Sequence, residues 1–232
     1  MRRRLPWFRL LLACLGLIAA TSIPSQAEAH STTTSVIGKL HPKTHQKIVY
    51  LTFDDGPSLI YTPQILDILK REHVHATFFV LGSRVEEFPK ISKRLIHEGH
   101  EVGNHGYHHD FLQEKTPAWV ASDIRRTDVI VHHVIGSHAH YYRPPGGIIT
   151  EPELRSVNTL GHPVVLWTVD SQDWKADGWE QIVQTVLRDT RPGSIILMHD
   201  GVSKSRYTVK ALPVIIESLK NAGYQFRKLP SR

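Results

Sequence analysis

Cysteine is almost missing from this 232-residue chain: there is one, Cys14, inside an apolar stretch near the N-terminus. A chain so poor in thiols has no disulfide framework and no thiolate metal cage, so any metal must be held by His, Asp or Glu. Long hydrophobic runs are also lacking. The longest, Leu10–Ala20, has eleven residues, whereas about twenty are needed to cross a bilayer. Beyond the first residues there is no Lys/Arg block, no zinc-finger spacing and no aromatic RNA-binding motif, which argues against nucleic acid as a partner despite a net charge of +6. Internal repeats and low-complexity segments are absent too.

What is present begins with an address. Arg2, Arg3 and Arg4, the short apolar run and the small-x-small pattern Ala27-Glu28-Ala29 compose an export signal, expected over 1–29 with cleavage before His30. An uncleaved anchor is the alternative reading of the same run. Removing 1–29 takes away four Arg and one Glu and leaves a charge of about +3, a diffuse excess compatible with an anionic wall polymer. Residues 30–46 are Ser/Thr-rich without periodicity and read as a linker or N-terminal arm, leaving 47–232 as one domain, expected to be a secreted or wall-associated monomer with no stable membrane span.

From Lys47 onward, short apolar runs alternate with amphipathic ones. The predicted strands are Ile48–Phe53, Ala76–Val80, Glu101–Gly103, Tyr141–Arg143, Val164–Val169, Ser194–Met198 and Gln225–Lys228. Helices are predicted near 62–72, 88–98, 117–134, 151–160, 179–187 and 208–222, where stripes such as Ile65, Leu66, Ile68 and Leu69 have helical spacing. Such alternation gives an α/β fold of parallel strands and crossover helices, open or closed into a barrel.

Polar residues gather just after the strands, where barrel folds place their chemistry. Asp54-Asp55-Gly56-Pro57 follows the first, Asn104-His105 and His109 the third, and Arg143-Pro144-Pro145-Gly146 the fourth. Asp170 to Trp174 follows the fifth and His199-Asp200 the sixth. Adjacent carboxylates leaving a strand point in different directions, so one can bind a metal while the other acts as base; a solvated Asp-Gly-Pro turn is the plainer reading. His105 and His109 have spacing that suits a shared metal, but His41 and His45 in the arm have it as well. Two His and one carboxylate form a known hydrolytic metal set.

The order of these motifs carries more than any one of them. Thr52-Phe53-Asp54-Asp55-Gly56-Pro57, His105-x-x-x-His109, Arg143-Pro144-Pro145, Asp170-x-x-Asp173-Trp174 and Leu197-x-His199 together resemble the five ordered motifs of the polysaccharide deacetylases, the NodB-homology or carbohydrate esterase family 4 group. The resemblance spans about Lys47 to Lys228. It implies a distorted (β/α) barrel of about seven parallel strands with outer helices. It also implies hydrolytic removal of N-acetyl groups from peptidoglycan or chitin-like glycans with a divalent metal, zinc first and cobalt second.

By position, the resemblance makes Asp54 the catalytic base and Asp55, His105 and His109 the metal ligands. Arg143 holds the base, the Gly146 N–H completes the oxyanion site, and His199 is the general acid tuned by Asp173. Trp174 and Leu197 wall the acetyl pocket. Those roles match what amide hydrolysis requires: an activated water, charge stabilisation at the carbonyl oxygen and protonation of the leaving amine. Two positions depart from the family. Gly106 stands where Ser or Thr usually braces the histidine loop, which is expected to loosen metal binding. Gly146 stands where many members carry an aromatic residue, which is expected to open one wall. An O-acetyl esterase of the xylan type and a non-catalytic glycan binder remain as alternatives.

Overall fold

The structure, a computed structural model, describes residues 36–38, 40 and 46–231; the expected export signal, His41 and His45 lie outside the described residues. Among the described residues no helix is long and apolar enough to cross a membrane. Val36–Ile37, within the segment read as an arm, form a short strand, β1. The remaining strands are β2 (Ile48–Asp54), β3 (Thr77–Val80), β4 (Glu101–Asn104), β5 (Val164–Val165), β6 (Val169–Asp170), β7 (Ile195–His199) and β8 (Gln225–Phe226). The helices are α1 (Tyr61–Arg71), α2 (Gly82–Glu87), α3 (Pro89–His97), α4 (Pro117–Ile135), α5 (Glu151–Thr159), α6 (Trp179–Asp189) and α7 (Ser205–Asn221).

Every ladder is parallel, in the order β4-β3-β2-β7-β6, with β8 beside the start of β2 and β5 beside β1. Tyr142 bridges Asn104 on one side and Val164 on the other. The run 164–170 therefore pairs with Tyr142 at its beginning and with β7 at its end, and the ring of strands closes into the irregular barrel that was expected. Two predicted strands are altered by this closure. Tyr141–Arg143 contributes a single bridging residue, because Pro144 and Pro145 have no N–H for a ladder. Val164–Val169 splits into β5 and β6 where the chain changes neighbours.

The two-residue period of β2 shows how the barrel is filled. Val49, Leu51 and Phe53 join the main apolar core with the outer helices, including Ile65, Leu66 and Leu69 of α1 and Leu212, Ile215 and Ile216 of α7. Ile48 and Tyr50 pack in a separate interior cluster with Phe79, Tyr141, Val165, Ile195 and Leu229. Thr52 and Asp54 continue that interior row toward the C-terminal mouth, so the lining changes from apolar to polar along one strand. Local signals set the helix ends: Thr116 accepts the Trp119 N–H at 3.2 Å ahead of α4, which stops at Gly136 in the left-handed region. A capping box of Thr150 and Glu153 opens α5.

Candidate active site

Asp54 ends β2, and its register partner on the neighbouring strand is His199, which ends β7. The ladder thus sets both side by side at the mouth. Asp54 is buried and its Oδ1 accepts from Arg143 Nη1 at 2.7 Å. Arg143 is itself 0 % exposed. Its Nη1 also donates to Thr52 Oγ1 at 2.8 Å, its Nε to the Val165 carbonyl at 3.0 Å and its Nη2 to the Leu166 carbonyl at 3.1 Å. The guanidinium also lies 4.0 Å from the Phe79 ring. A planar cation fixed this way holds the carboxylate in place while keeping its charge compensated.

Asp55 follows with φ 72°, a turn that sends its side chain toward the loop after β4. His105 Nε2 and His109 Nε2 each lie 3.4 Å from Asp55 Oδ1. His105 Nδ1 is 2.7 Å from the Arg143 carbonyl; a carbonyl only accepts, so Nδ1 carries a proton and Nε2 faces Asp55, where it offers a lone pair when the ring is neutral. Burial would raise the Asp55 pKa, but His105 first, then His199 and His109, bring it down to about 2 when their rings are protonated. Asp55 Oδ1 is nevertheless buried without a hydrogen-bond partner. One ligand atom from each of the three side chains lies within 4.8 Å of the others, the one such group of His, Cys, Asp or Glu among the described residues. Atoms about 2.1 Å from a tetrahedral centre stand about 3.4 Å apart, so these acceptors fit a divalent cation and lack a donor of their own.

His199 Nδ1 donates to Asp173 Oδ1 at 2.7 Å, and Asp173 Oδ2 accepts the His199 backbone N–H at 2.8 Å and the Thr208 hydroxyl at 2.6 Å. Burial would lower the His199 pKa, but the charge and hydrogen bond of Asp173, helped by Asp54 and Asp55, raise it to about 9. Asp200 turns away from the mouth. It accepts from Thr62 Oγ1, its carbonyl accepts from Ser58 Oγ at 2.7 Å, and its N–H donates to the Asp54 carbonyl at 3.1 Å, bracing the loop that carries Asp55. Burial pushes its carboxyl up to about 7.

These groups surround a cavity of about 500 Å³. Asp54, Asp55, His105, His109, Gly146, Trp174, Leu197 and His199 line it, while Arg143 and Asp173 act from behind through Asp54 and His199. Phe111, Trp167 and Val202 also line it, and the sequence reading did not single them out.

Both departures at glycine are compensated. The Gly106 N–H donates to Asn104 Oδ1 at 2.8 Å and the Tyr107 N–H to Asp123 Oδ2 at 3.0 Å. The carbonyls of 106 and 107 accept the first two N–H groups of α2, from Gly82 and Ser83. The histidine loop is therefore braced from α2 and α4 without a hydroxyl side chain at 106. The wall at Gly146 is not open either. Gly146 has φ 69°, and a Cβ there would sit 2.8 Å from Phe111 Cε1. The Phe111 ring occupies the space that a larger residue at 146 would take.

The comparisons with known proteins agree with this geometry. The family model for polysaccharide deacetylase matches residues 41–165. A peptidoglycan-N-acetylglucosamine deacetylase of Bacillus cereus is 42% identical over 184 residues, covering 79% of this chain and 67% of that one. A chitooligosaccharide deacetylase of Bradyrhizobium is 37% identical, covering 78% and 89%. Among solved structures, the Bc1960 peptidoglycan N-acetylglucosamine deacetylase superposes with a TM-score of 0.80 at 38% identity, covering 85% of this chain and 91% of that one. Motif order, barrel, site geometry and these likenesses have one explanation: the chain belongs to the polysaccharide deacetylase family, the NodB-homology or carbohydrate esterase 4 group of hydrolases.

Proposed function

We propose that the protein removes N-acetyl groups from N-acetylglucosamine-type residues of peptidoglycan or chitin-like glycans, outside the cytoplasm, in a metal-dependent hydrolysis that releases acetate. The observation that carries the reading is the buried, partnerless Asp55 Oδ1 facing two histidine nitrogens, with Asp54–Arg143 and His199–Asp173 alongside. Asp55, His105 and His109 would hold the cation, zinc first and cobalt second, as the mixed N/O set favours a borderline metal. The chemistry such a cation supplies when bound is acidification of a water and polarisation of a carbonyl.

Asp54, oriented by Arg143, takes the proton of the attacking water. The Gly146 N–H shares the charge that develops on the carbonyl oxygen. His199, with Nδ1 tied to Asp173, presents a protonated Nε2 to the departing amine. Leu197 and Trp174 exclude water around the acetyl methyl. The retained base and all three ligand positions speak for an enzyme over a glycan binder. Acetate release from chitooligosaccharides, peptidoglycan and acetylated xylan tests the reading: release from either N-acetylated substrate is expected, and release from xylan alone would replace it with an O-acetyl esterase.

A further inference from the structure

A second group of histidines stands apart from the catalytic cavity. His138, His140 and His162, with Asp128 of α4, line another cavity of about 370 Å³ that shares no residue with the first. Glu101 opens β4 and His162 comes two residues before β5, so this group gathers where strands begin, whereas Asp54 and His199 stand where strands end. Two of the three rings are held by carboxylates. His162 Nε2 donates to Asp128 Oδ2 at 2.8 Å, and Asp128 Oδ1 accepts from Asn104 Nδ2 at 2.9 Å. His140 Nδ1 donates to Glu101 Oε1 at 2.7 Å, while Glu101 Oε2 accepts from Lys228 Nζ at 3.2 Å and Ser231 Oγ at 2.7 Å. A carboxylate only accepts, so each ring carries a proton on the nitrogen facing it and offers a lone pair at the other when neutral. That other nitrogen of His162, Nδ1, is buried without a hydrogen-bond partner, on a residue only 7% exposed. Leaving a buried polar atom unpaired is costly, and a ligand at Nδ1 removes the cost.

We infer that this cavity is a second metal site, which takes a borderline divalent cation of the zinc type through His162 Nδ1, His140 Nε2 and the His138 ring. Imidazole nitrogens favour zinc, copper and nickel over magnesium or calcium. A histidine whose other nitrogen is tied to a carboxylate is the usual form of such a ligand, because the tie fixes both tautomer and ring orientation. Among the described residues only the catalytic set brings three ligand atoms within 4.8 Å of one another. Closure of the second site therefore draws in His138, which is exposed and stacked on His132 with 4.6 Å between ring centroids. A site that closes on its ion spends part of the binding energy on that movement, so it fills after the catalytic one. A cation held there links the segment after α4 to the segment after α5, the two that lead into Tyr142 and β5 on the irregular side of the barrel.

Calorimetric titration with zinc, on protein already carrying one zinc equivalent, tests the site. A second, weaker equivalent should bind. His162→Gln keeps a donor near the Nε2 position for Asp128 but removes Nδ1, and His140→Asn keeps a donor near the Nδ1 position for Glu101 but removes Nε2. Each should abolish the second equivalent and leave the first. His133→Gln, at an exposed residue that lines neither cavity, should keep both. A titration that ends after the first equivalent would overturn the site, as would a second equivalent that survives His162→Gln or His140→Asn. Loss of that equivalent in His133→Gln as well would make it a loose surface chelate and overturn the site equally. Long-range proton–nitrogen NMR of the imidazoles in the unsubstituted protein does not depend on how the variants fold. The second equivalent should shift the His140 and His162 ring nitrogens, and unmoved signals at both would overturn the inference.

Discussion

Asp173→Asn isolates the part of the site that holds a proton. Asp173 is fully buried and saturated by three donors, one of them His199 Nδ1. Asparagine keeps the shape but supplies one acceptor and one amino group. The best arrangement keeps the amide oxygen on the His199 N–H and the Thr208 hydroxyl, which turns the amino group toward His199 Nδ1. That nitrogen must then be unprotonated, and the imidazolium is disfavoured. His199 has its pKa raised to about 9, so in the unsubstituted protein it is protonated below that pH and loses its proton as pH rises through it. In the variant the pKa falls to about the ordinary 6.5 or lower. At pH 8 the protonated fraction then drops about thirtyfold, and below about pH 6 the two proteins converge. The assay is kcat/KM for acetate release from a chitooligosaccharide between pH 5 and 10. The basic limb should move down by about two and a half units or more, with fold and metal content unchanged. A cation at the neighbouring ligand set would lower both limbs alike, so the displacement between the proteins is the diagnostic quantity. A uniform loss at every pH with an unmoved limb would refute His199 as the proton donor.

Chelation should abolish acetate release and zinc or cobalt should restore it; full turnover in a sample shown metal-free by elemental analysis would contradict the ligand set. Asp54→Asn should lower kcat by about 10²–10⁴ with metal retained, whereas Asp55→Ala and His105→Ala should lose metal; the opposite pattern, read by metal content and kcat together, would exchange the roles of the two aspartates. His199→Ala should lower kcat/KM for an N-acetylated sugar at least about tenfold more than for nitrophenyl acetate, whose leaving group departs without a proton; equal losses would make His199 a positioning residue. Arg143→Met should cost about 3–5 kcal/mol of unfolding free energy, because it strands the Asp54 carboxylate in a buried place; a loss under about 1 kcal/mol in denaturant titration would mean that the pair is poorly coupled.

Much of the fold was legible because the barrel obeys local rules. Strand runs such as Ile48–Phe53 and Ser194–Met198, and helix stripes such as Ile65 to Leu69, stand within a residue or two of the observed elements. The site was legible for a related reason: parallel strands deliver their last residues to one mouth, so Asp54, His105 and His199 meet although they are distant in sequence. What was hidden depends on partners that no local pattern exposes. α2 is only six residues long and too short to show a helical period, yet its first N–H groups steady the histidine loop. Gly106 and Gly146 read as losses because Asp123 and Phe111, which answer them, come from other segments of the chain. Val164–Val169 reads as one strand because sequence does not record a change of neighbour halfway along it.

The break in that run has a consequence for how such a protein can diverge. At the seam where 164–170 changes neighbours, the Val165 and Leu166 carbonyls accept from Arg143, so the cation that pairs with Asp54 also rivets the wall. Loss of the guanidinium at position 143 would weaken the seam, which Tyr142 also holds, and strand the carboxylate in the same step. Gln113 and Ile148, both exposed, carry no such double duty. New glycan preferences are free to arise there while the rivet stays where it is.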